Sequence, residues 1–183
     1  MKIFFDTEFT GLHQTTTLIS IGLITENETT FYAEFNDYNK NQVDSWIKEN
    51  VINKLKYKKE ILNKAGHADN MGDVSFAMSS NSSVIKKYLT KWLSKWNKVE
   101  MWSDCLAYDW VLFNNLWGHA FNIPKNIYHV PFDICTLFKI NGIDPDINRE
   151  KFVGMSNQLG KHNALWDASV IKACHEKLMA LRY

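Results

Sequence analysis

The fold is decided by the stretch Lys2-Ile3-Phe4-Phe5-Asp6-Thr7-Glu8-Phe9. Its first six residues have the dense apolar composition of a buried β-strand. Alternate side chains of a strand share a face, so Asp6 and Glu8 leave the same side of the sheet. A buried pair of carboxylates is costly unless a cation compensates, and hard oxygen ligands favour Mg²⁺ or Mn²⁺ over zinc. The pair therefore predicts a metal site, and the alternative is an exposed strand end.

Further strands and helices follow along the chain, and together they predict one α/β domain with helices on both faces of a sheet. The segment 56–80 has no legible pattern and is interpreted as an insertion or mobile loop. The turn between the second and third strands is predicted at residues 26–28. The predicted strands are Lys2–Thr7, Thr16–Thr25, Thr29–Phe35 and Val99–Ser103. The predicted helices are Asp44–Leu55, a helix capped by Ser82 or Ser83 with an apolar stripe from Val84 to Trp96, Tyr108–Ala120, and one from near Asn163 to about Leu181, with a short element at Ile134–Ile140.

The composition limits the classes of partner and compartment. The chain has 183 residues, a hydrophobic fraction of 45% and a net charge of +1. This composition argues against disorder, and the near-neutral charge predicts a short footprint on nucleic acid or a partner of another kind. Three widely spaced cysteines predict free thiols rather than a zinc site. No apolar run approaches the ~20 residues of a membrane span, so we expect a soluble, cytoplasmic protein.

A second set of candidate residues lies near the C-terminus. His162 and Asp167 are five residues apart, which on one regular helix would place them ~140° from each other. If His162 lies in a loop after Gly160 and Asp167 lies on the first turns of the last helix, both can face one site. The alternative is an exposed helix acid and a loop histidine.

A third candidate acid, Asp109, begins a helix among aromatic residues. A carboxylate in apolar company needs a partner. Asp104, just beyond a predicted strand, is interpreted as a loop or capping residue.

Taken in order, these motifs resemble those of a known superfamily. Phe5-Asp6-Thr7-Glu8-Phe9, then Tyr108-Asp109, then His162 with Asp167, is similar to the three exonuclease motifs of the DEDDh superfamily. Two departures are Ser20, where many members carry glutamate, and Tyr108, where phenylalanine is common. A small bacterial and phage branch of DEDDh 3′→5′ exoribonucleases resembles the chain also in the segments Leu18-Ile19-Ser20-Ile21-Gly22, Asp44-Ser45-Trp46 and Leu116-Trp117-Gly118.

The resemblance implies an RNase H-like mixed sheet, one exonuclease domain over residues 1–183, and two-metal hydrolysis of RNA 3′ ends. Asp6, Glu8, Asp109 and Asp167 would bind two Mg²⁺ or Mn²⁺ ions, and His162 would be the general base. The products would be nucleoside 5′-monophosphates. The resemblance also suggests a homodimer in the cytoplasm of a bacterial or phage-infected cell.

Substrate contacts follow from the same resemblance. Thr7 and Phe9 would offer backbone groups to the terminal nucleotide, Leu12 would wedge between the last two bases, and Tyr108 would contact the scissile phosphate. Trp46 would stack on a base or, alternatively, face the core. Two other functions remain open, a single-stranded DNA 3′→5′ exonuclease and a catalytically silent nucleic-acid-binding module.

Overall fold

An interior strand of the sheet carries the paired acids. The computed structural model describes residues 1–57, 75–155 and 160–181. In these residues the strands form one mixed sheet in the order β4-β3-β2-β1-β5-β6. Neighbours β1, β2 and β3 are antiparallel, whereas β4, β5 and β6 each pair in parallel. The strands are β1 Lys2–Phe9, β2 Leu18–Thr25, β3 Thr30–Phe35, β4 Ser75–Ser80, β5 Glu100–Ser103 and β6 Phe132–Asp133.

Helices cover both faces of this sheet, which confirms the predicted α/β class. α2 and α3 pack on the face that buries Ile3 and Phe5. α4 and α6 pack on the opposite face, which buries Phe4. The helices are α1 Ser45–Asn50, α2 Ser82–Leu93, α3 Ala107–Asn115, α4 Ile134–Ile140, α5 Arg149–Val153 and α6 Ala164–Ala180.

The alternation along β1 directs the two acids towards α6. Ile3 and Phe5 are fully buried on one side, and Phe4 is buried on the other against the residues of α6. Asp6 and Glu8 continue the face of Phe4 because they follow it by two and four residues. The strand therefore places its two acids beyond the apolar layer, towards the end of the sheet.

A glycine lets the start of α6 approach the sheet closely. Gly22 on β2 lies opposite Asp6. A Cβ atom at Gly22 would lie 2.3 Å from the backbone carbon of Ala164 and from the nitrogen of Leu165. The first turn of α6, which carries Asp167, is thus seated directly on the β2 backbone.

Replacing Gly22 by alanine should push this first turn away from the sheet. We expect a loss of about 1–3 kcal/mol in the free energy of unfolding, as for other overpacked sites, together with reduced nuclease activity. Thermal unfolding and RNA shortening measure the two effects. Gly142→Ala is the control, since that glycine has open space around it but a φ of +71°, so it should lose a little stability and no activity. Equal activity in both variants would contradict the close approach.

Four details of the predicted elements were wrong. Residues 75–80, interpreted as part of a loop, form edge strand β4; residues 58–74 lie outside the described part of the chain. The predicted helix Asp44–Leu55 stops at Asn50, where β-branched Val51 and Ile52 follow, and continues only as a short 3-10 turn. α3 ends at Asn115, ahead of Gly118 in the left-handed conformation. Asn81, rather than a serine, caps α2.

The helices in the described ranges also bear on the membrane prediction. None of them combines the length and the apolar character that crossing a bilayer would require.

Candidate active site

Three acids from two elements meet at the end of β1. Asp6 and Glu8 come from the strand, and Asp167 comes from the first turn of α6. One carboxylate oxygen from each lies within 4.8 Å of the others, and all three residues are partly buried. Within residues 1–57, 75–155 and 160–181, no lysine or arginine forms an ion pair with any of them. The group has the oxygen donors and the uncompensated charge that suit a divalent cation.

Asp109 reaches the same region from the other face of the sheet. It lies in the first turn of α3 and is buried. Its Oδ1 accepts two hydrogen bonds from Thr7, one from the backbone N–H at 2.9 Å and one from the hydroxyl at 2.5 Å. The amide of Thr7, whose backbone groups are predicted to contact the terminal nucleotide, is therefore occupied in orienting Asp109. These two hydrogen bonds fix the orientation of the Asp109 carboxylate.

Burial and mutual repulsion disfavour the charged forms of these acids. Burial raises the pKa of Glu8 to about 8, and the charges of Asp167 and Asp109 add to the effect. Burial, followed by the charge of Glu150, raises the pKa of Asp167 to about 7. The pKa of Asp6 is raised well above its ordinary value by burial and then by the neighbouring acids. For Asp109, burial raises the pKa to about 6 although the hydrogen bonds from Thr7 lower it. A bound cation would remove this penalty.

His162 stands beside the acids on the loop that precedes α6. Its φ of +61° turns the chain just before Asn163, whose side chain caps α6 by accepting the N–H of Trp166. Nδ1 lies 4.0 Å from Oε1 of Glu8, which is too far for a direct hydrogen bond. Burial and then the charges of Lys54 and Lys161 lower the pKa of His162, so the ring is neutral at neutral pH. The loop placement is the one that lets both His162 and Asp167 face one site.

An open cleft of about 800 Å³ brings all five candidate catalytic residues together. Trp46 lines it, is 53% exposed and places its ring 5.0 Å from the His162 ring, so the alternative of a core-facing tryptophan is wrong. Leu12 is 78% exposed at the rim. Phe9 and Tyr108 also line the cleft and stack on each other with ring centres 5.5 Å apart.

The cleft contains residues that the sequence motifs did not indicate. Arg149 donates two hydrogen bonds to Asp104, which lies in a loop as predicted but does not cap α3. Glu150 accepts a hydrogen bond from the indole of Trp166. Lys54 lies outside the cleft lining but donates to the carbonyl of Lys161, which does line the cleft, at 2.8 Å. These residues come from segments without a motif, so only their position in space reveals them.

The fold and the acids of the site define an α/β protein of the RNase H-like class with a candidate metal centre. The family model of the Rv2179c-like 3′-5′ exoribonuclease domain matches residues 1–179, and the chain therefore belongs to this family of nucleases. Two curated relatives from Mycobacterium tuberculosis are similar to it, 3′-5′ exoribonuclease Rv2179c of strain ATCC 25618 / H37Rv and 3′-5′ exoribonuclease MT2234.1 of strain CDC 1551 / Oshkosh. Each is 24% identical over 142 residues, which cover 78% of this chain and 76% of the relative. The predicted superfamily and exoribonuclease branch are confirmed.

Proposed function

We propose that this chain removes nucleotides from the 3′ ends of RNA and releases nucleoside 5′-monophosphates. The observation that carries the proposal is the group of Asp6, Glu8 and Asp167, three uncompensated carboxylates beside a histidine in an open cleft. Membership of an exoribonuclease family and the names of both relatives support RNA as the polymer. The domain extent of 1–183 and the homodimer stay predictions.

Asp6, Glu8, Asp109 and Asp167 are the residues that would hold two Mg²⁺ or Mn²⁺ ions. Their donors are carboxylate oxygens only, which suits these hard cations. When bound, such a pair activates a water molecule and stabilises the charge that develops on the leaving oxygen. Thr7 holds Asp109 in place through both its amide and its hydroxyl, so the fourth acid is oriented before any ligand arrives.

His162 would accept the proton of the attacking water. A general base must be unprotonated and within reach of the proton that it takes. Its lowered pKa keeps the imidazole neutral at neutral pH, and the 4.0 Å separation from Glu8 leaves the ring nitrogen without a direct acceptor there. The edge-to-face contact with Trp46 supports the ring from one side.

Exposed apolar side chains around the cleft would position the terminal nucleotides. Leu12 projects from the rim and would enter between the last two bases, and Trp46 would stack on a base, a contact of ~1–3 kcal/mol. Tyr108, held against Phe9, would contact the scissile phosphate. Phe9 would support this tyrosine as well as offer its backbone to the nucleotide.

Two alternative functions are distinguished from RNA hydrolysis by the digestion experiment described below. A single-stranded DNA exonuclease would use the same acids, since the choice of sugar depends on contacts to the 2′-hydroxyl. A silent binding module would have no use for clustered acids, because they repel phosphate.

The test is digestion of matched 5′-labelled RNA and DNA oligomers with Mn²⁺, Mg²⁺ or EDTA. We expect stepwise shortening of RNA that needs metal, and a loss of ~10²–10⁴-fold in rate for His162→Ala, the usual range for a general base. His129→Ala is the matched control, because His129 is exposed and lies outside the cleft. Faster digestion of DNA would favour the first alternative. No digestion of either polymer by folded protein would favour the second.

A further inference from the structure

Two cysteines from distant segments meet beside the cleft. Cys105 lies in the loop between β5 and α3 and is exposed, and Cys135 lies in the first turn of α4. Thirty residues separate them along the chain, yet their sulfur atoms are 3.4 Å apart. Both thiols are free in this structure. Sulfurs in contact can be joined by a small movement, since a disulfide requires about 2.05 Å.

One carboxylate holds the two cysteine-bearing segments together. Asp133 accepts the backbone N–H of Cys135 at Oδ1, at 2.7 Å, and the N–H of Leu106 at Oδ2, at 3.2 Å. The loop after β5 and the start of α4 are therefore tied by the same side chain. This framework keeps the backbones that carry the two sulfurs close together.

The polar neighbours of the pair suit thiol chemistry better than a cation. Asp104 accepts a hydrogen bond from the Cys135 thiol at 3.0 Å. Arg149 donates to both oxygens of Asp104, at 2.7 and 2.9 Å, and its Nη2 lies 3.3 Å from the Cys135 sulfur. A metal bound by Asp104 and the two sulfurs would have to displace this guanidinium or lie beside its charge.

We propose that Cys105 and Cys135 form a reversible dithiol site that low-molecular-weight disulfides oxidise to an intramolecular disulfide. The exposed Cys105 thiolate attacks one sulfur of the small disulfide, whose S–S bond breaks and releases one thiol. Cys135 passes its proton to Asp104, and its sulfur attacks the sulfur of Cys105 in the mixed disulfide. The second small thiol leaves with that proton. The protein loses two hydrogens, and the small disulfide gains them.

The bond would join the loop that leads into α3 to the start of α4. That loop precedes Tyr108 and Asp109 by a few residues, and Asp104, Cys105 and Arg149 line the same cleft as the acids. The site is distinct from the nuclease chemistry because none of its steps uses the acid cluster. Its test is independent of RNA hydrolysis.

The test treats reduced, full-length protein with 4,4′-dithiodipyridine in EDTA. We expect two equivalents of 4-thiopyridone, an intact mass lower by two hydrogens with no adduct, and a cross-link between the tryptic peptides that cleavage after Lys125 separates. Cys135→Ser should release one equivalent and keep a stable adduct on Cys105. Cys174→Ser, which removes a buried thiol elsewhere, should behave as the wild type.

One result that would overturn the proposal comes from the wild type alone and so does not depend on how the variants fold. It is a persistent mixed disulfide on Cys105 in folded protein, with Cys135 still open to alkylation after unfolding. Release of 4-thiopyridone by Cys105→Ser at the same rate as by the wild type would also overturn the proposal.

Discussion

Replacing Asp6 by asparagine should reduce RNA shortening by at least ~10³-fold, equivalent to about 4 kcal/mol of transition-state stabilisation, while making the metal-free protein more stable. The first effect is expected because asparagine keeps the shape of the side chain but loses the charge that a divalent cation needs. The second is expected because burial, and then the charges of the neighbouring acids, raise the pKa of Asp6 well above its ordinary value. Removing the charge removes both the burial penalty and this repulsion, so the free energy of unfolding in EDTA should rise at neutral pH.

Lost activity together with increased stability distinguishes a catalytic role of Asp6 from a structural one. A variant that is inactive because it unfolds would lose stability, whereas this variant should gain it in EDTA. Thermal unfolding in EDTA and RNA shortening in Mn²⁺ are the two measurements. Asp144→Asn, at an exposed position outside the cleft, is the matched control and should change neither. If Asp6→Asn had an activity near that of the wild type, Asp6 would not be a residue that the reaction needs.

Metal-free protein should lose stability as the pH rises from 6.5 to 8. The folded pKa values of Asp6, Glu8 and Asp167 are all above their unfolded values, so in this window the folded state binds more protons than the unfolded state. The free energy of unfolding therefore falls with rising pH. One excess proton over this window amounts to about 2 kcal/mol, or roughly 4–8 °C in the melting temperature.

The window is chosen so that other groups do not mask the trend. His175, buried between Phe4 and Trp102, has its pKa lowered to about 4 by burial, so its stabilising effect is lost only below pH 6.5. Adding Mn²⁺ should abolish or reverse the trend, because metal ligands must be deprotonated and binding strengthens as the pH rises. Glu8→Gln should flatten the metal-free slope. A metal-free melting temperature that rises between pH 6.5 and 8 would contradict the charge-repulsion account of the acid cluster.

The parts of this site that sequence predicted are those with short-range physical rules. Alternation along one strand places Asp6 and Glu8 on the same face, and the predicted start of the last helix near Asn163 separates the His162 loop from the helix of Asp167. Each inference needs only the geometry of one element. The same local rules predicted the first three strands and the last helix.

Features that depend on pairing between distant segments could not be predicted in this way. Edge strand β4 forms because residues 75–80 pair with β3, and its sequence Ser-Phe-Ala-Met-Ser-Ser gives only a weak strand pattern. Arg149 meets Asp104 across 45 residues, and Cys105 meets Cys135 across 30. Neither contact leaves a periodic signal, because each depends on where the fold places the loop after β5 relative to the start of α4 or of α5.

The most direct test of the central claim is the identity of the product released from RNA over time. Mass spectrometry of a digestion with Mn²⁺ should show ribonucleoside 5′-monophosphates that appear in the order of the sequence, starting at the 3′ end, and none when EDTA is present. Release of 3′-monophosphates or internal fragments, or release that continues in EDTA, would contradict a metal-dependent 3′→5′ exoribonuclease built on these acids.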